Sequence, residues 1–260
     1  MTKETVYALR QDDIATVWLD RPERLNAFNL ATWVRLGEVM AELNADDSLR
    51  CVVLRGAGGK AFAAGADIAE FEAERFSAAQ AETYAEKTHS AFEGVIESPH
   101  PTLALIEGAC IGGGLELALC CDLRLCNESA RFGIPINRLG HVLPYDGMIP
   151  LVQLAGRAVA LELLLEGRIF PAREAYEKGL VNRVLPDEEA EAEGLAAARR
   201  IARGAPLAVR AHKIAARRAL DPSPLSQDEL AATYAACDSE DYREGVRAFL
   251  EKRKPEFRGK

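Results

Sequence analysis

Two stretches of small residues constrain this chain more than any other feature. They are Lys60-Ala-Phe-Ala-Ala-Gly65-Ala66-Asp67-Ile68 and Glu107-Gly108-Ala-Cys-Ile-Gly112-Gly113-Gly114-Leu-Glu116-Leu. Each follows a short apolar run, Cys51 to Leu54 and Thr102 to Ile106, of the kind that forms a buried strand. Each leads toward a helical pattern, Ala78 to Ile96 and Gly114 to Cys121. Strand, small-residue loop and helix in repetition point to an α/β fold built from strand–strand–helix units. No internal repeat is visible in the residues themselves. Small residues let backbone approach a ligand closely, and a helix start leaves N–H groups unpaired. Two such N–H groups aimed at one point form an oxyanion hole, which stabilises negative charge developing on a carbonyl oxygen. The same glycines also suit tight helix–strand packing, so spacing alone leaves both readings open.

The rest of the chain is consistent with that class. Thr5 to Leu9 and Ile14 to Leu19 read as strands around a turn at Gln11-Asp12-Asp13. Asn29 is placed to cap a helix reaching about Leu43. Arg55 to Ala66 and Glu107 to Gly113 read as loops, and Leu123 to Cys126 as a strand. After Val184-Leu185-Pro186 four helical patterns follow, Glu188 to Arg203, Leu207 to Leu220, Leu225 to Cys237 and Asp241 to Lys252. Pro206, Pro222 and Pro224 punctuate them. At 260 residues the chain suits one large domain with a helical appendage.

Charge and motif inventory exclude several classes. The formal net charge of −8 gives no field to attract nucleic acid or an anionic membrane. Met1 to Asp13 lacks an apolar core of signal-peptide length, and Thr102 to Cys121 is interrupted by Glu107 and Glu116. The six cysteines form no C-x-x-C pair and several sit in apolar segments, as expected of small buried residues in a reducing cytoplasm. Gly56-Ala57-Gly58-Gly59-Lys60 is followed by Ala61, so it lacks the hydroxyl of a phosphate loop. There is no G-x-G-x-x-G after a strand and no G-x-S-x-G elbow. His89, His100, His141 and His212 lack metal-ligand spacing, and for His89, His100 and His212 a surface or structural role is expected.

Family resemblance then separates the readings. Arg21-Pro22-Glu-Arg-Leu-Asn26-Ala27, Ala64-Gly65-Ala66-Asp67-Ile68, and Gly112-Gly113-Gly114-Leu-Glu116-Leu with Cys121-Asp122-Leu occur in that order. Ala172-Arg-Glu-Ala175 through Gly179-Leu180-Val181-Asn182, and Ala248-Phe249-Leu-Glu-Lys252-Arg253, complete the series. Together they resemble the crotonase (enoyl-CoA hydratase/isomerase) superfamily over nearly the whole chain. The resemblance implies a spiral core of ββα units over residues 1–195 and a helical oligomerisation region over 196–260. It also implies a homotrimer or dimer of trimers, and no permanently bound cofactor beyond the coenzyme A of a thioester substrate.

The resemblance further implies that the Ala66 and Gly113 amides hold the thioester oxygen. Coenzyme A would lie along Arg24, Leu25, Ala27 and the stretch Ala66 to Ala69, with Ala64, Asp67, Ile68 and Gly112 beside it. Many hydratases carry a lysine at the position of Ala69. Phe249 and Lys252 match residues that reach coenzyme A, in some members from a neighbouring subunit.

Glu116 lies in the apolar stretch Leu115 to Leu119, where a carboxylate is costly unless partnered or used. Burial would raise its pKa and suit proton transfer. Hydratases carry a second Glu after the Phe-Gly-x-Pro turn, yet Phe132-Gly133-Ile134-Pro135 is followed by Ile136, which cannot move a proton. His141, Tyr145 and Asp146 just downstream are the candidates to replace it. The Pro144-Tyr145 pair resembles a loop of methylmalonyl-CoA decarboxylase-like members; alternatively Tyr145 and Asp146 form a Pro-led turn with Asp146 capping the next helix. The expected reaction is hydration of a 2-enoyl thioester. The rivals are another lyase or decarboxylase using Tyr145 or His141, or a non-catalytic binder of CoA esters. Because the net field is negative, Arg24, Lys60, Lys252 and backbone amides must supply the local attraction for coenzyme A phosphates.

Overall fold

The computed structural model describes residues 4–260. The strands are β1 (Val6–Gln11), β2 (Ile14–Leu19), β3 (Cys51–Gly56), β4 (Ala61–Ala63), β5 (Thr102–Ile106), β6 (Ala109–Ile111), β7 (Leu123–Asn127), β8 (Arg131–Gly133), β9 (Phe170–Pro171) and β10 (Arg183–Leu185). The helices are α1 (Leu30–Asn44), α2 (Phe71–Glu74), α3 (Ala78–Ile96), α4 (Gly113–Cys120), α5 (Tyr145–Glu166), α6 (Ala172–Glu177), α7 (Ala190–Ala202), α8 (Pro206–Arg218), α9 (Gln227–Ala235) and α10 (Glu240–Leu250).

Six strands form one sheet in the order β1-β2-β3-β5-β7-β10, parallel throughout except for the β1–β2 hairpin. Four short strands form a second sheet, β4-β6-β8-β9. The pairs β3/β4, β5/β6 and β7/β8 each send the first strand to the large sheet and the second to the small one. That is the strand–strand–helix repeat expected from sequence. The stretches read as loops at Arg55 to Ala66 and Glu107 to Gly113 therefore each contain a three-residue strand, β4 and β6. Such a strand is too short to show a period, and its pairing comes from residues far along the chain.

Every residue of β3 and β5 is buried, as expected of parallel strands covered on both faces. Val52, Leu54, Ala104 and Ile106 face the main core with Trp33, Leu36 and Met40 of α1. Cys51, Val53, Leu103, Leu105 and Leu125 face α7 through Ala197 and Ala198. The expected 195/196 boundary thus falls inside a helix whose small residues seal the back of the large sheet; a Cβ on Gly194 would lie 2.6 Å from Leu105 Cδ1. Five of the cysteines are buried free thiols, and Cys237 is exposed.

Asn29 caps α1, its carboxamide oxygen accepting from the Thr32 amide at 2.8 Å. The α5 segment is apolar, but Gly156, at φ +77 and ψ 163, breaks it into two short helices, the first of which contains Pro150. Neither half has the about 20 residues a membrane span requires. Asp146 does not cap α5; Pro144 occupies that position.

Candidate active site

The site forms where the two small-residue segments meet. Phe28 bridges to Ala66 in parallel fashion, its amide donating to the Gly65 carbonyl at 2.8 Å while Asp67 donates back to the Phe28 carbonyl at 2.7 Å. That pairing uses the carbonyl before Ala66 and the amide after it, and leaves the Ala66 N–H without an acceptor among the described residues. Gly112 donates to the Gly133 carbonyl at 2.9 Å and turns the chain at φ +51 and ψ −123, a conformation open essentially to glycine alone. Gly113 is then the first residue of α4, where an amide has no partner within the helix. It too lacks an acceptor among the described residues.

The two residues lie close together: a Cβ built on Gly113 would lie 3.9 Å from the Ala66 nitrogen. Gly114 makes this possible by packing against β4, where a Cβ would sit 2.3 Å from the Ala63 carbonyl oxygen. The structure thus brings together the two small-residue positions, Ala66 and Gly113, that the sequence offers as paired donors.

Both segments line a cavity of about 470 Å³. Its apolar wall includes Trp33, Tyr84, Phe92, Ile136 and Leu139. Trp33 stacks on Phe28 at 3.9 Å between ring centroids and lies against Gly113.

Glu116 opens onto this cavity and is otherwise enclosed by protein. Its carboxylate forms no hydrogen bond or ion pair with the described residues, so burial dominates and pushes its pKa up to about 7. The positive charge of Arg75 acts in the opposite direction. Gly147 of α5 approaches so closely that its Cβ would lie 3.1 Å from Glu116 Oε2.

Of the candidates around Ile136, His141 and Asp146 line the cavity with Ile136 itself. Burial, and then the charge of Arg75, holds the His141 pKa below the usual histidine value. Asp146 accepts from His89 Nδ1 at 3.0 Å, and this partner raises the His89 pKa. His89, expected to be a bystander, is thus tied to a cavity carboxylate. Tyr145, at the first turn of α5, is 80% exposed and does not line the cavity. A helix start turns successive side chains by about 100°, so adjacent Tyr145 and Asp146 cannot share one direction.

Along the expected coenzyme A path, Ala64, Ala66, Ile68 and Gly112 line the cavity. Arg24, Leu25 and Ala27 lie in the adjoining loop, which is pinned to β4 by the Ala64 amide donating to the Leu25 carbonyl at 2.9 Å. Buried Asn26 donates to the Ala57 and Ala61 carbonyls at 3.0 and 2.8 Å. The Asp67 carboxylate is occupied: it pairs with Arg21 at 3.0 Å, while Arg21 also donates to the Ala27 carbonyl at 2.6 Å. Asp67 therefore ties the two ligand-facing loops together, and Arg21 lowers its pKa.

Phe249 does not reach this cavity. It is 83% exposed and lines a separate apolar groove with Leu207, Tyr242, Leu250 and Phe257. Lys252 follows α10 in a turn at φ +55.

Several site residues went unread in the sequence. Trp33 lies in the segment read only as the helix after Asn29, and Tyr84 and Phe92 lie in the segment read only as the helix from Ala78 to Ile96. Arg75 was not singled out, although it is the only basic residue between Lys60 and Lys87. That isolation in an acidic stretch was the available signal.

The sequence model of the enoyl-CoA hydratase/isomerase family matches residues 10–260. The crotonyl-CoA hydratase of Syntrophomonas wolfei is 32% identical over 262 residues, covering 99% of each chain. The short-chain-enoyl-CoA hydratase of Clostridium acetobutylicum is 32% identical, covering 98% of each. Among solved structures, an enoyl-CoA hydratase/carnithine racemase from Magnetospirillum magneticum superposes with a TM-score of 0.97 at 48% identity, covering 100% of this chain and 97% of that one. With paired amide donors, a raised carboxylate and this full-length likeness, the chain belongs to the enoyl-CoA hydratase/isomerase family of the crotonase superfamily.

Proposed function

We propose that this protein is an enoyl-CoA hydratase-like lyase that adds water across the double bond of a 2-enoyl-CoA thioester. The observation that carries the reading is the convergence of two acceptor-free amides and one raised carboxylate on a single cavity. The thioester oxygen lies between the Ala66 and Gly113 N–H groups. Glu116, as carboxylate, takes a proton from water while the oxygen attacks C3. The electron pair of the double bond moves onto the thioester as an enolate, whose oxygen the two amides stabilise. Protonated Glu116 then returns the proton to C2. With its pKa near 7, Glu116 can act as both base and acid near neutrality. Asp146, oriented by His89, is the second polar group, in place of the carboxylate that Ile136 lacks.

Coenzyme A lies along Arg24, Leu25, Ala27 and Ala66 to Ala69. Phe249 and Lys252 would contribute from a neighbouring subunit of a homotrimer or dimer of trimers in the cytoplasm. Apolar residues exposed on α5, Ile149 at 50%, Leu161 at 40% and Leu165 at 71%, support such assembly. Light scattering reads the state directly. The position of Tyr145 removes the support for a tyrosine-dependent decarboxylase. Incubation with crotonyl-CoA tests the main reading through loss of enoyl absorbance. Bound CoA esters without turnover would overturn the hydratase assignment.

A further inference from the structure

Arg75 projects a guanidinium into the acyl cavity, and hydration of an alkyl enoyl chain gives it nothing to do. Its carbon lies 4.6 Å from the Phe71 ring centroid and 4.7 Å from that of Tyr84, so two aromatic rings hold it. Its Nη2 is 2.6 Å from His141 Nε2. A histidine held neutral offers a lone pair there, so Arg75 is the donor. No carboxylate pairs with the Arg75 side chain among the described residues, and His141 is its one hydrogen-bond partner. Of its five N–H donors, four therefore remain for another acceptor.

The cavity wall is largely apolar, with Trp33, Phe92, Ile136 and Leu139, and its carboxylates, Glu116 and Asp146, form no ion pair with Arg75 among the described residues. A cation in such surroundings is costly unless an anion joins it. Ring faces return only part of that cost. Arg75 and Glu116 line the same cavity without forming an ion pair with each other. Other arginines in the fold take a carboxylate, as Arg55 does with Glu107 at 2.8 Å and Arg21 with Asp67 at 3.0 Å.

We propose that the acyl chain of the substrate carries a second carboxylate, which pairs with Arg75 beside His141. The substrate class is then a dicarboxylic acyl-CoA thioester. This rests on the acyl-CoA reading of the cavity. The planar guanidinium, held against two rings, presents parallel N–H groups suited to bidentate carboxylate binding.

Glutaryl-CoA and pentanoyl-CoA test this, because they share length and coenzyme A and differ only at the chain terminus. Both are saturated, so calorimetry measures binding without turnover. The wild-type protein is expected to bind glutaryl-CoA at least tenfold more tightly than pentanoyl-CoA. Arg75→Met should invert that order, and Arg75→Lys should restore part of it. Equal or tighter binding of pentanoyl-CoA by the wild type overturns the proposal. So does a ratio that Arg75→Met leaves within twofold, since Arg75 would then act only on Glu116. Crotonyl-CoA turnover without a carboxylate preference refutes this inference alone. Binding of neither ester refutes the acyl-CoA reading together with it.

Discussion

Glu116→Gln should abolish hydration and at the same time stabilise the protein, and the stabilisation should depend on pH. The carboxyl pKa is pushed from an ordinary 4.5 to about 7 by burial. A difference of roughly 2.5 units at about 1.36 kcal/mol each is on the order of 3 kcal/mol. The sign follows from proton linkage. Between pH 4.5 and 7 the unfolded chain has lost this proton and the folded one retains it, so stability falls as pH rises. Below the unfolded pKa both states are protonated and no penalty exists. Above about pH 7 the full penalty applies.

Glutamine keeps the shape and removes the charge. At pH 8.5 the variant should therefore unfold at higher temperature than wild type, with an upper limit of about 3 kcal/mol because Glu116 opens toward the cavity. At about 2 °C per kcal/mol for a chain of this size, that is a shift of about 6 °C. At pH 4.5 the two proteins should unfold together. Thermal unfolding by circular dichroism at both pH values, with crotonyl-CoA turnover on the same samples, gives both readouts. Removal of a general acid–base group typically costs about 10²–10⁴-fold in rate. An equal shift at both pH values, or a variant less stable at pH 8.5, would show that the carboxylate is not held charged against its burial.

Three other perturbations probe the remaining parts of the site. Gly113→Pro keeps a residue that suits the first position of α4 but removes its N–H, and kcat should fall by about 10²–10³ with the far-UV spectrum retained. Asp146→Asn should lower kcat by about tenfold or more while leaving the affinity for a saturated CoA ester within twofold; an unchanged kcat refutes its proton-handling role. Asp67→Asn removes the partner of Arg21. Because Arg21 lowers the Asp67 pKa, the ion pair contributes above the ordinary carboxylate range and is lost as pH falls. The variant should therefore melt below wild type at pH 7, and the gap should close near pH 3.

The sequence was legible wherever physics is local. The Asn29 cap, the α3 limits at Ala78 and Ile96, and the β2 limits at Ile14 and Leu19 all appear where side-chain chemistry and periodicity placed them. Glu116 was visible because a lone carboxylate among leucines contradicts its surroundings. By contrast, β4, β6 and β8 are three residues each and exist only through pairing with one another. Tyr145 and Asp146 are adjacent in sequence but diverge in space, so no local rule could choose between them.

By itself, then, the sequence determined the α/β class, the family, the two amide-bearing segments and the acid at Glu116. Each depends on residue identity at fixed spacing, which the chain carries before it folds. Tertiary structure alone decided that Ala66 and Gly113 come close together, that burial lifts Glu116 to about 7, that Asp67 is held by Arg21, and that Arg75 lines the cavity against Phe71 and Tyr84. Those properties depend on distances between residues remote in the chain and on the exclusion of water around them. Both come into being only when the sheets and helices close around the cavity.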